Sequence, residues 1–158
     1  MLQIGKINFV IAAQAFQWMD RPKLLCTVSS QLRTGGITAV IQNNRDFKYS
    51  EFFAAYEALL EAMIPNYSRY YRNFDFLQEM SDGFGVNLEK VVLHTHSWTM
   101  TIPSEAFIGM SCFSTQAQCA IANYGEEYLR QLVALIKQYE VQGKLEILYR
   151  SELYMYAR

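Results

Sequence analysis

Polar and aromatic side chains that could bind a ligand follow directly after the first apolar run of the chain. The run INFVIAA at 7–13 leads into the segment AAQAFQWMD at 12–20, which carries Gln14, Phe16 and Trp18. Open α/β sheets bind ligands just beyond the carboxyl ends of their strands. The position therefore favours a ligand-binding crevice lined by these side chains. The alternative interpretation is that Phe16 and Trp18 only pack against the next helix.

Two histidines have the spacing of metal ligands on a strand. His94 and His96 alternate with Thr95, so both side chains would point from one strand face. Cys112 or Cys119 could complete a zinc set, but their spacing from the histidines matches no standard zinc pattern. Two partly exposed imidazoles are the simpler interpretation. No metal site is predicted.

Covalent catalysis and phosphate binding have no clear signature in the sequence. The segment GMSCF at 109–113 lacks the second glycine of G-x-S-x-G, which disfavours a hydrolase. The chain contains no G-x-G-x-x-G or G-x-x-x-x-G-K-[ST] loop that would hold a phosphate. Several aromatic residues could form either a pocket or a packed core. These residues are Tyr67, Tyr70, Tyr71 and Trp98.

The elements around the first crevice predict an α/β fold. Residues 7–13 are apolar and rich in β-branched side chains, which is typical of a strand covered on both faces. Asp20 can cap a helix, and Gly35 with Gly36 would end that helix. The segment ITAVIQ at 37–42 repeats the buried-strand pattern. A strand, a crossover helix and a second strand form a parallel, right-handed pair.

The middle of the chain predicts a cap followed by a return to the sheet. Ser50 caps an amphipathic helix that ends before Pro65. An aromatic, irregular stretch follows, so residues 47–88 are interpreted as an inserted cap. Residues 91–102 then alternate between apolar and polar side chains, as a strand does.

The last part of the chain predicts two helices and a strand. A short helix begins at Ser104. A longer helix begins with an N-x-x-E pattern at Asn123 and stops at Gly143. The segment LEILYRSELYMYA forms the terminal strand.

Length, charge and cysteine content exclude several classes of protein. The 158 residues fit one domain, and 51% hydrophobic residues suffice for a packed core. Fourteen basic and 15 acidic residues give a net charge of -1, which makes nucleic acid and membrane surfaces poor partners. Three cysteines without dense spacing suit a reducing compartment, and no apolar run approaches the roughly 20 residues of a membrane span. A cytoplasmic protein, neither exported nor inserted in a membrane, is expected.

Four segments together carry a resemblance to a known family. They are INFVIAAQAFQWMD, LRTGGITAVIQNNRD, AAYEALL and PNYSRYYR. They resemble the C-terminal half of a class I S-adenosylmethionine-dependent methyltransferase of the small-molecule, type 11-like kind. The resemblance implies a partial Rossmann-like sheet that contains strands four to seven in the order 4-5-7-6. It assigns 1–46 and 89–158 to the methyltransferase core and 47–88 to an inserted helical and aromatic cap.

The resemblance also implies which residues would meet the ligands. Ala13, Gln14, Ala15 and Phe16 would border the methionine part of S-adenosylmethionine, with the ring of Phe16 or Trp18 facing the sulfonium cation. Methyl transfer to a small-molecule acceptor relies on alignment and needs no catalytic triad or metal. No general base is assigned. The residues implied for the acceptor pocket are Trp18, Asn44, Arg45, Tyr71 and Trp98.

The sequence departs from the family pattern at several positions. Asn8 stands where the family usually has Asp, Gln17 where it has His, and Arg33 with Thr34 replace Lys-Pro before two glycines. The family's glycine-rich loop, and the acidic residue that holds the cofactor ribose, would lie upstream of Met1. The chain alone is therefore expected to hold an incomplete cofactor site and to be inactive.

The missing strands would make residues 7–13 a sheet edge. This segment carries no lysine or proline to protect it from pairing. An unpaired backbone group trapped in an apolar setting costs about 1–3 kcal/mol, so a partner is expected to cover the edge. A separately encoded N-terminal half or a second copy of the chain could do so. Two other classes stay open: a non-enzymatic remnant or interaction module that pairs through this edge, and a stand-alone α/β ligand-binding domain.

Overall fold

The computed structural model describes residues 6–158, which form two compact units. Unit 1 consists of Met1–Asn44, of which residues 6–44 are described, together with Arg72–His96 and Arg150–Arg158. Its parts come from three separate stretches of the chain, so strands and helices distant in sequence pack together within it.

Unit 2 consists of Arg45–Tyr71 and Ser97–Tyr149. The boundary after Tyr71 divides the predicted cap at 47–88 between the two units. That residues 47–88 are an insertion into a methyltransferase core stays a prediction.

Four strands form one sheet in the order β1-β2-β4-β3. When β1 is counted as the fourth strand of a methyltransferase sheet, this order is 4-5-7-6, as predicted. The α/β class and the partial sheet are therefore confirmed. The strands are β1 (Ile7–Ala13), β2 (Leu32–Arg45), β3 (Val91–Pro103) and β4 (Lys144–Ala157).

Six α-helices connect the strands in the part of the chain that is described, and two short 3-10 helices lie at Phe16–Trp18 and Leu88–Lys90. None of the helices in residues 6–158 has the length and apolar character that a membrane crossing requires. The α-helices are α1 (Arg21–Gln31), α2 (Glu51–Met63), α3 (Phe76–Phe84), α4 (Ser104–Cys112), α5 (Thr115–Tyr124) and α6 (Glu126–Tyr139).

The parallel pair of β1 and β2 contains one irregularity. Ile7 lies opposite Leu32, and Phe9 lies opposite Ile37, so a short step along β1 faces a longer step along β2. Gly35 lies in that longer step with φ +76°, in the left-handed region that favours glycine. The extra residues of β2 are thus accommodated by a local distortion, and the register is regular beyond it.

Helix α1 begins where the sequence predicts but ends earlier. The side chain of Asp20 accepts a hydrogen bond from the backbone N–H of Lys23 at 3.2 Å, which confirms the predicted N-cap. The glycine pair predicted to end the helix lies in β2 instead. The helix ends at Gln31 because Leu32 already has extended backbone angles and begins the next strand.

In unit 1, α1 and α3 pack with one face of the strands. The two helices approach closely at Gly83, where a Cβ atom would lie only 2.6 Å from Cβ of Leu25. Asp75 caps α3, and Gly85 ends it with φ 64°. The sequence prediction of an irregular cap at this point is wrong for α3. The buried cluster contains Ala12, Phe16, Leu25, Val28, Leu32, Val40, Phe76, Met80, Val91, Tyr154 and Tyr156.

The other face of β1 is open. Val10 and Ala12 belong to the core cluster, whereas Phe9 is 66% exposed and Ile11 is 64% exposed. The prediction that β1 is covered on both faces is therefore wrong, because alternate side chains point to opposite faces and only one is packed. Within the described residues β1 is also the edge of the sheet, with β2 as its neighbour.

Unit 2 has an aromatic core. The ring centroid of the fully buried Phe107 lies 5.0 Å from that of Phe52 and 5.4 Å from that of Tyr56. Ser50 accepts a hydrogen bond from the backbone N–H of Phe53 at 3.3 Å, which confirms the predicted start of α2. Residues of α6 and β4 complete the cluster, namely Tyr128, Leu132, Ile136, Leu145 and Ile147.

The predicted last helix corresponds to α6, and α5, a helix that the sequence did not predict, precedes it. Gly125, with φ 54° and ψ -124°, separates α5 from α6. Asn123 therefore lies in the last turn of α5 and not at a helix start. Helix α6 ends at Tyr139, and Gly143 lies in the turn before β4. The non-helical backbone angles of Gly125 set the start of α6, and the helix ends at Tyr139 because Glu140 already has extended backbone angles.

Candidate functional site

The carboxyl end of β1 turns sharply at Gln14. Its φ is 50°, which ends the strand, and its backbone N–H still donates to the carbonyl oxygen of Ile41 at 2.9 Å. The side-chain Nε2 of Gln14 donates to the carbonyl oxygen of Asn43. The ends of β1 and β2 are therefore tied together, at the position where open α/β sheets bind ligands.

The two aromatic rings of this turn have different environments. The ring of Phe16 is 1% exposed and packs edge-on against Phe76, with 5.2 Å between centroids. The ring of Trp18 is 71% exposed, and the guanidinium carbon of Arg72 lies 5.9 Å from its centroid. The resemblance implies that the ring of Phe16 or of Trp18 faces a sulfonium cation. Of these two rings, that of Trp18 is accessible and that of Phe16 is buried. Ala13 and Gln14 are exposed and Ala15 is partly exposed.

A small cavity, which we name the polar pocket, lies in unit 1 and has a volume of about 130 Å³. Its walls come from the end of β2, from the second half of β4, from the 3-10 helix after β1, and from the segment that leads into α3. Gln42 Nε2 donates to Gln17 Oε1 at 2.9 Å across one wall. The lining residues are Gln17, Gln42, Asn44, Arg72, Asn73, Phe74, Phe76, Glu152 and Tyr154.

One wall of the polar pocket carries a carboxylate whose two oxygens are both engaged. The hydroxyl of Tyr154 donates to Glu152 at 2.9 Å, and Nε of Arg150 donates to the same carboxylate at 3.0 Å. Burial, followed by the neighbouring Glu152 carboxylate, raises the pKa of Tyr154. The phenol therefore stays protonated at neutral pH and acts as a hydrogen-bond donor, not as a base.

Asn44, one residue of this lining, has a side-chain oxygen atom that is closed to solvent. Its Oδ1 atom is buried, and the described residues supply no hydrogen-bond donor for it. Buried amide oxygens in folded proteins nearly always accept a hydrogen bond.

Unit 2 holds the other residues predicted for the acceptor pocket. The guanidinium carbon of Arg45 lies 5.4 Å from the ring centroid of Phe107. Trp98 stacks on Tyr149 with 4.7 Å between centroids, and Tyr71 lies beside Tyr67 with 5.6 Å between centroids. Each of these side chains thus has an aromatic neighbour within unit 2. That they form one acceptor pocket with Trp18 and Asn44 stays a prediction.

The histidine and serine candidates form no reactive group in the part of the chain described. His94 and His96 are exposed, and no cluster of three histidine, cysteine, aspartate or glutamate side chains able to hold a metal occurs among residues 6–158. Ser111 of the GMSCF segment is fully buried and donates to the carbonyl oxygen of Ile108 at 3.0 Å. It is therefore a structural residue of α4.

Sequence reasoning did not identify most residues of the polar pocket. Gln42 carried a usable signal, because it follows Thr38 and Val40 on the inward face of a strand and is itself polar and buried. No sequence pattern marks Glu152 or Arg72 as a pocket residue, because only the strand order and the packing of the chain bring them to the same cavity as Asn44.

Comparison with solved structures shows the fold of the chain. A proposed type II methyltransferase from Anaeromyxobacter dehalogenans matches 99% of this chain and 66% of its own, with a TM-score of 0.64 and 16% identity. A proposed methyltransferase from Bacillus halodurans matches 98% of this chain and 66% of its own, with a TM-score of 0.46 and 13% identity. A geranyl diphosphate methyltransferase in complex with SAM matches 96% of this chain and 53% of its own, with a TM-score of 0.34 and 13% identity.

The chain has part of the Rossmann-like fold of the class I S-adenosylmethionine-dependent methyltransferases, and the predicted resemblance is confirmed at the level of fold. It spans 66% of the length of the Anaeromyxobacter structure, just under two thirds. No protein-family model matches the sequence, and no curated protein is significantly similar to it.

Proposed function

We propose that this chain supplies the acceptor-binding part of an S-adenosylmethionine-dependent methyltransferase that acts on a small molecule. In isolation it would be incomplete for cofactor binding and inactive. The observation that carries the proposal is the position of β1, an exposed sheet edge with Phe9 and Ile11 uncovered on one face, in a chain with a methyltransferase fold.

The residues at the end of β1 fit one part of the cofactor. Trp18 offers an accessible aromatic face, and such faces attract cations, including the sulfonium of S-adenosylmethionine. Ala13 and Ala15 have small side chains that leave room beside the turn. When bound, the cofactor would supply the electrophilic methyl group. The chain's own residues would orient the acceptor and exclude water, which is what methyl transfer requires of a protein.

The proposed partner pairs with β1. Addition of a parallel strand would satisfy the outward N–H and C=O groups of β1, and helices that follow such a strand would cover Phe9 and Ile11. A separately encoded N-terminal half would contribute the glycine-rich turn as well, whereas a second copy would cover the edge without completing the cofactor site.

A second candidate function is a non-enzymatic interaction module. It is favoured by a contact between two positions that depart from the family pattern: Nη1 of Arg33 donates to Oδ1 of Asn8 at 3.2 Å. The contact joins the starts of β1 and β2, so both departures serve the local structure rather than catalysis.

Calorimetric titration with S-adenosylmethionine tests the proposal. The purified chain alone should bind with a dissociation constant weaker than about 1 mM. If a reading frame directly upstream encodes a strand followed by a glycine-rich turn, addition of that polypeptide should give micromolar binding. Tight binding by the chain alone would contradict the proposed incompleteness. Absence of binding after that polypeptide is added would favour the interaction module.

A further inference from the structure

We propose that a groove in unit 2 binds a small molecule that carries a protonated amine on an aromatic body. The groove, which we name the unit 2 groove, is formed by the start of α2, the end of α6 with the turn after it, and strands β3 and β4. Its volume of about 610 Å³ is in the range of small-molecule sites. The inference goes beyond the proposed function and does not rest on it, because every lining residue belongs to unit 2.

Apolar side chains form the base of the unit 2 groove. Phe52 and Leu145 line it and belong to the buried core of unit 2. Tyr139 and Leu148, which are partly exposed, lie beside them, with 5.7 Å between the ring centroids of Tyr139 and Phe52. A ligand that covers the accessible part of this base removes apolar surface from water. The base therefore favours a ligand with an apolar body.

The turn after α6 holds an exposed apolar residue at the groove. Val141 is 73% exposed, its backbone N–H donates to the carbonyl oxygen of Lys144 at 2.9 Å, and the N–H of Lys144 donates back at 3.0 Å. Between them, Gln142 and Gly143 have φ 52° and 72°. Two successive residues with positive φ are typical of a tight type I′ turn. The main chain at Val141 is thus fixed before any ligand binds, which lowers the entropic cost of binding.

The segment before α2 holds an exposed aromatic residue at the groove. Tyr49 is 76% exposed, and its backbone N–H donates to Oδ1 of the buried Asp46 at 3.3 Å. The backbone N–H of Asp46 donates in turn to the carbonyl oxygen of Leu148 at 2.9 Å, which ties this segment to β4. An accessible tyrosine ring can stack on a ligand ring or attract a cation to its face.

The charges of the lining favour a cation. Glu51 and Glu146 are carboxylates, and Lys144 is an ammonium. All three side chains are exposed, and none of them forms an ion pair with another of the described residues. The two carboxylates outnumber the ammonium, so a ligand ammonium reduces the excess charge whereas a ligand carboxylate increases it. Because the charges are exposed, the expected preference is only a few-fold.

The test uses four probes and the full chain labelled with ¹⁵N. 2-Phenylethylammonium has the proposed charge and body, 2-phenylethanol lacks the charge, 3-phenylpropionate reverses it, and ethylammonium lacks the ring. 2-Phenylethylammonium should shift the amide signals of Thr99, Val141 and Glu146, with a dissociation constant of about 1 mM. 2-Phenylethanol should bind about threefold and 3-phenylpropionate about fivefold more weakly. Ethylammonium should bind about tenfold more weakly.

A pair of valine substitutions tests the location of the site. Val141→Ser removes an apolar side chain from the groove and should weaken binding of 2-phenylethylammonium about fivefold. Val133→Ser is the matched control, because Val133 is an exposed valine of α6 that does not line the groove. It should leave the binding unchanged.

A pair of charge reversals tests the preference for an amine. Glu146→Lys leaves one carboxylate and two ammonium groups in the lining, so 3-phenylpropionate should become the tighter probe. Glu89→Lys makes the same change in net charge at an exposed residue of unit 1. It should leave 2-phenylethylammonium as the preferred probe.

Equal or tighter binding of 3-phenylpropionate to the native chain would overturn the inference. So would the absence of any shift with 2-phenylethylammonium at 20 mM, roughly twenty times the expected dissociation constant. Equal effects of Val141→Ser and Val133→Ser would overturn it too, because the probe would then bind elsewhere. The two proposals fail separately, since the probes report on unit 2 alone and the titration with S-adenosylmethionine reports on the cofactor site.

Discussion

The two units differ in how completely each covers its own apolar surface. In unit 2, helices α2, α4, α5 and α6 bury an aromatic cluster, and exposed aromatic residues such as Phe113 lie on helices and loops. In unit 1, Phe9 and Ile11 stand exposed on one face of a strand, with the partly exposed Ile41 on the neighbouring strand. Scattered exposed residues are normal, whereas a contiguous exposed patch marks an interaction surface. Unit 1 thus leaves a strand face with neighbouring apolar side chains exposed.

The largest expected difference between the two units is the loss of stability when a phenylalanine ring is removed from each. Phe107→Ala in unit 2 removes a ring that touches three aromatic neighbours, so it should lower the free energy of unfolding by about 3–5 kcal/mol. Phe9→Ala in unit 1 should change it by less than about 0.5 kcal/mol, because the ring is mostly in water. Urea denaturation of both variants measures the difference. A loss above about 2 kcal/mol for Phe9→Ala would mean that the face is covered in the isolated chain.

A pair of glycine substitutions tests the covered side of unit 1. Gly83→Ala would put a methyl group 2.6 Å from Cβ of Leu25 and push α1 away from α3, which should cost about 1–3 kcal/mol. Gly109→Ala in α4 has nothing within 4 Å and should be neutral or stabilising by up to about 1 kcal/mol. Thermal melting compares the two. A Gly83→Ala variant as stable as the native chain would show that α1 and α3 are more loosely packed than described.

How far the sequence predicts the fold depends on whether the signal is local. Ser50 and Asp20 are helix caps recognisable from their neighbours, and the structure confirms both. The cap and stop signals of α3, at Asp75 and Gly85, are also local in the sequence. The aromatic residues around them led to the prediction of an irregular segment. The strand order 4-5-7-6 came from the family resemblance, because no local pattern encodes it.

The candidate site was less predictable than the fold. The turn after β1 is accessible to sequence reasoning, since its position at a strand end is a rule of α/β sheets. The burial of Phe16 depends in part on Phe76, a residue of a helix that the sequence did not predict. Glu152 reaches the polar pocket only because β4 lies beside β2 in the sheet.

The exposed residues Phe9 of unit 1 and Phe113 of unit 2 should differ in their effect on self-association. If a second copy covers the open face of unit 1, the isolated chain should form dimers at about 100 µM, and Phe9→Lys should weaken them at least tenfold, or about 1.4 kcal/mol. Phe113→Lys, at an 88% exposed residue of unit 2, should leave them unchanged. Sedimentation equilibrium measures both. Equal effects of the two substitutions would contradict the assignment of the interface to β1.

The smallest expected effect is a pH dependence confined to unit 2. Burial raises the pKa of Glu57, against the lowering effects of the Tyr67 hydroxyl, Arg69 and Arg45. The folded chain thus holds a proton that the unfolded chain releases at lower pH, so this group's contribution to stability falls as pH rises from about 4.5 through the raised pKa. Glu57→Gln should remove the slope. Urea midpoints between pH 4 and 7 would show it, and equal slopes in both chains would contradict the burial of Glu57.

β1 is the edge strand of the sheet in the described residues, with hydrogen-bonding groups that face away from β2. Hydrogen exchange of its amides tests this most directly. In the dilute isolated chain, outward N–H groups of β1 should exchange nearly as fast as in an unfolded peptide, while N–H groups bonded to β2 stay protected. Protection of the outward groups should appear only when a partner strand is added or the concentration is raised. Strong protection along the whole of β1 in the dilute chain would contradict the account.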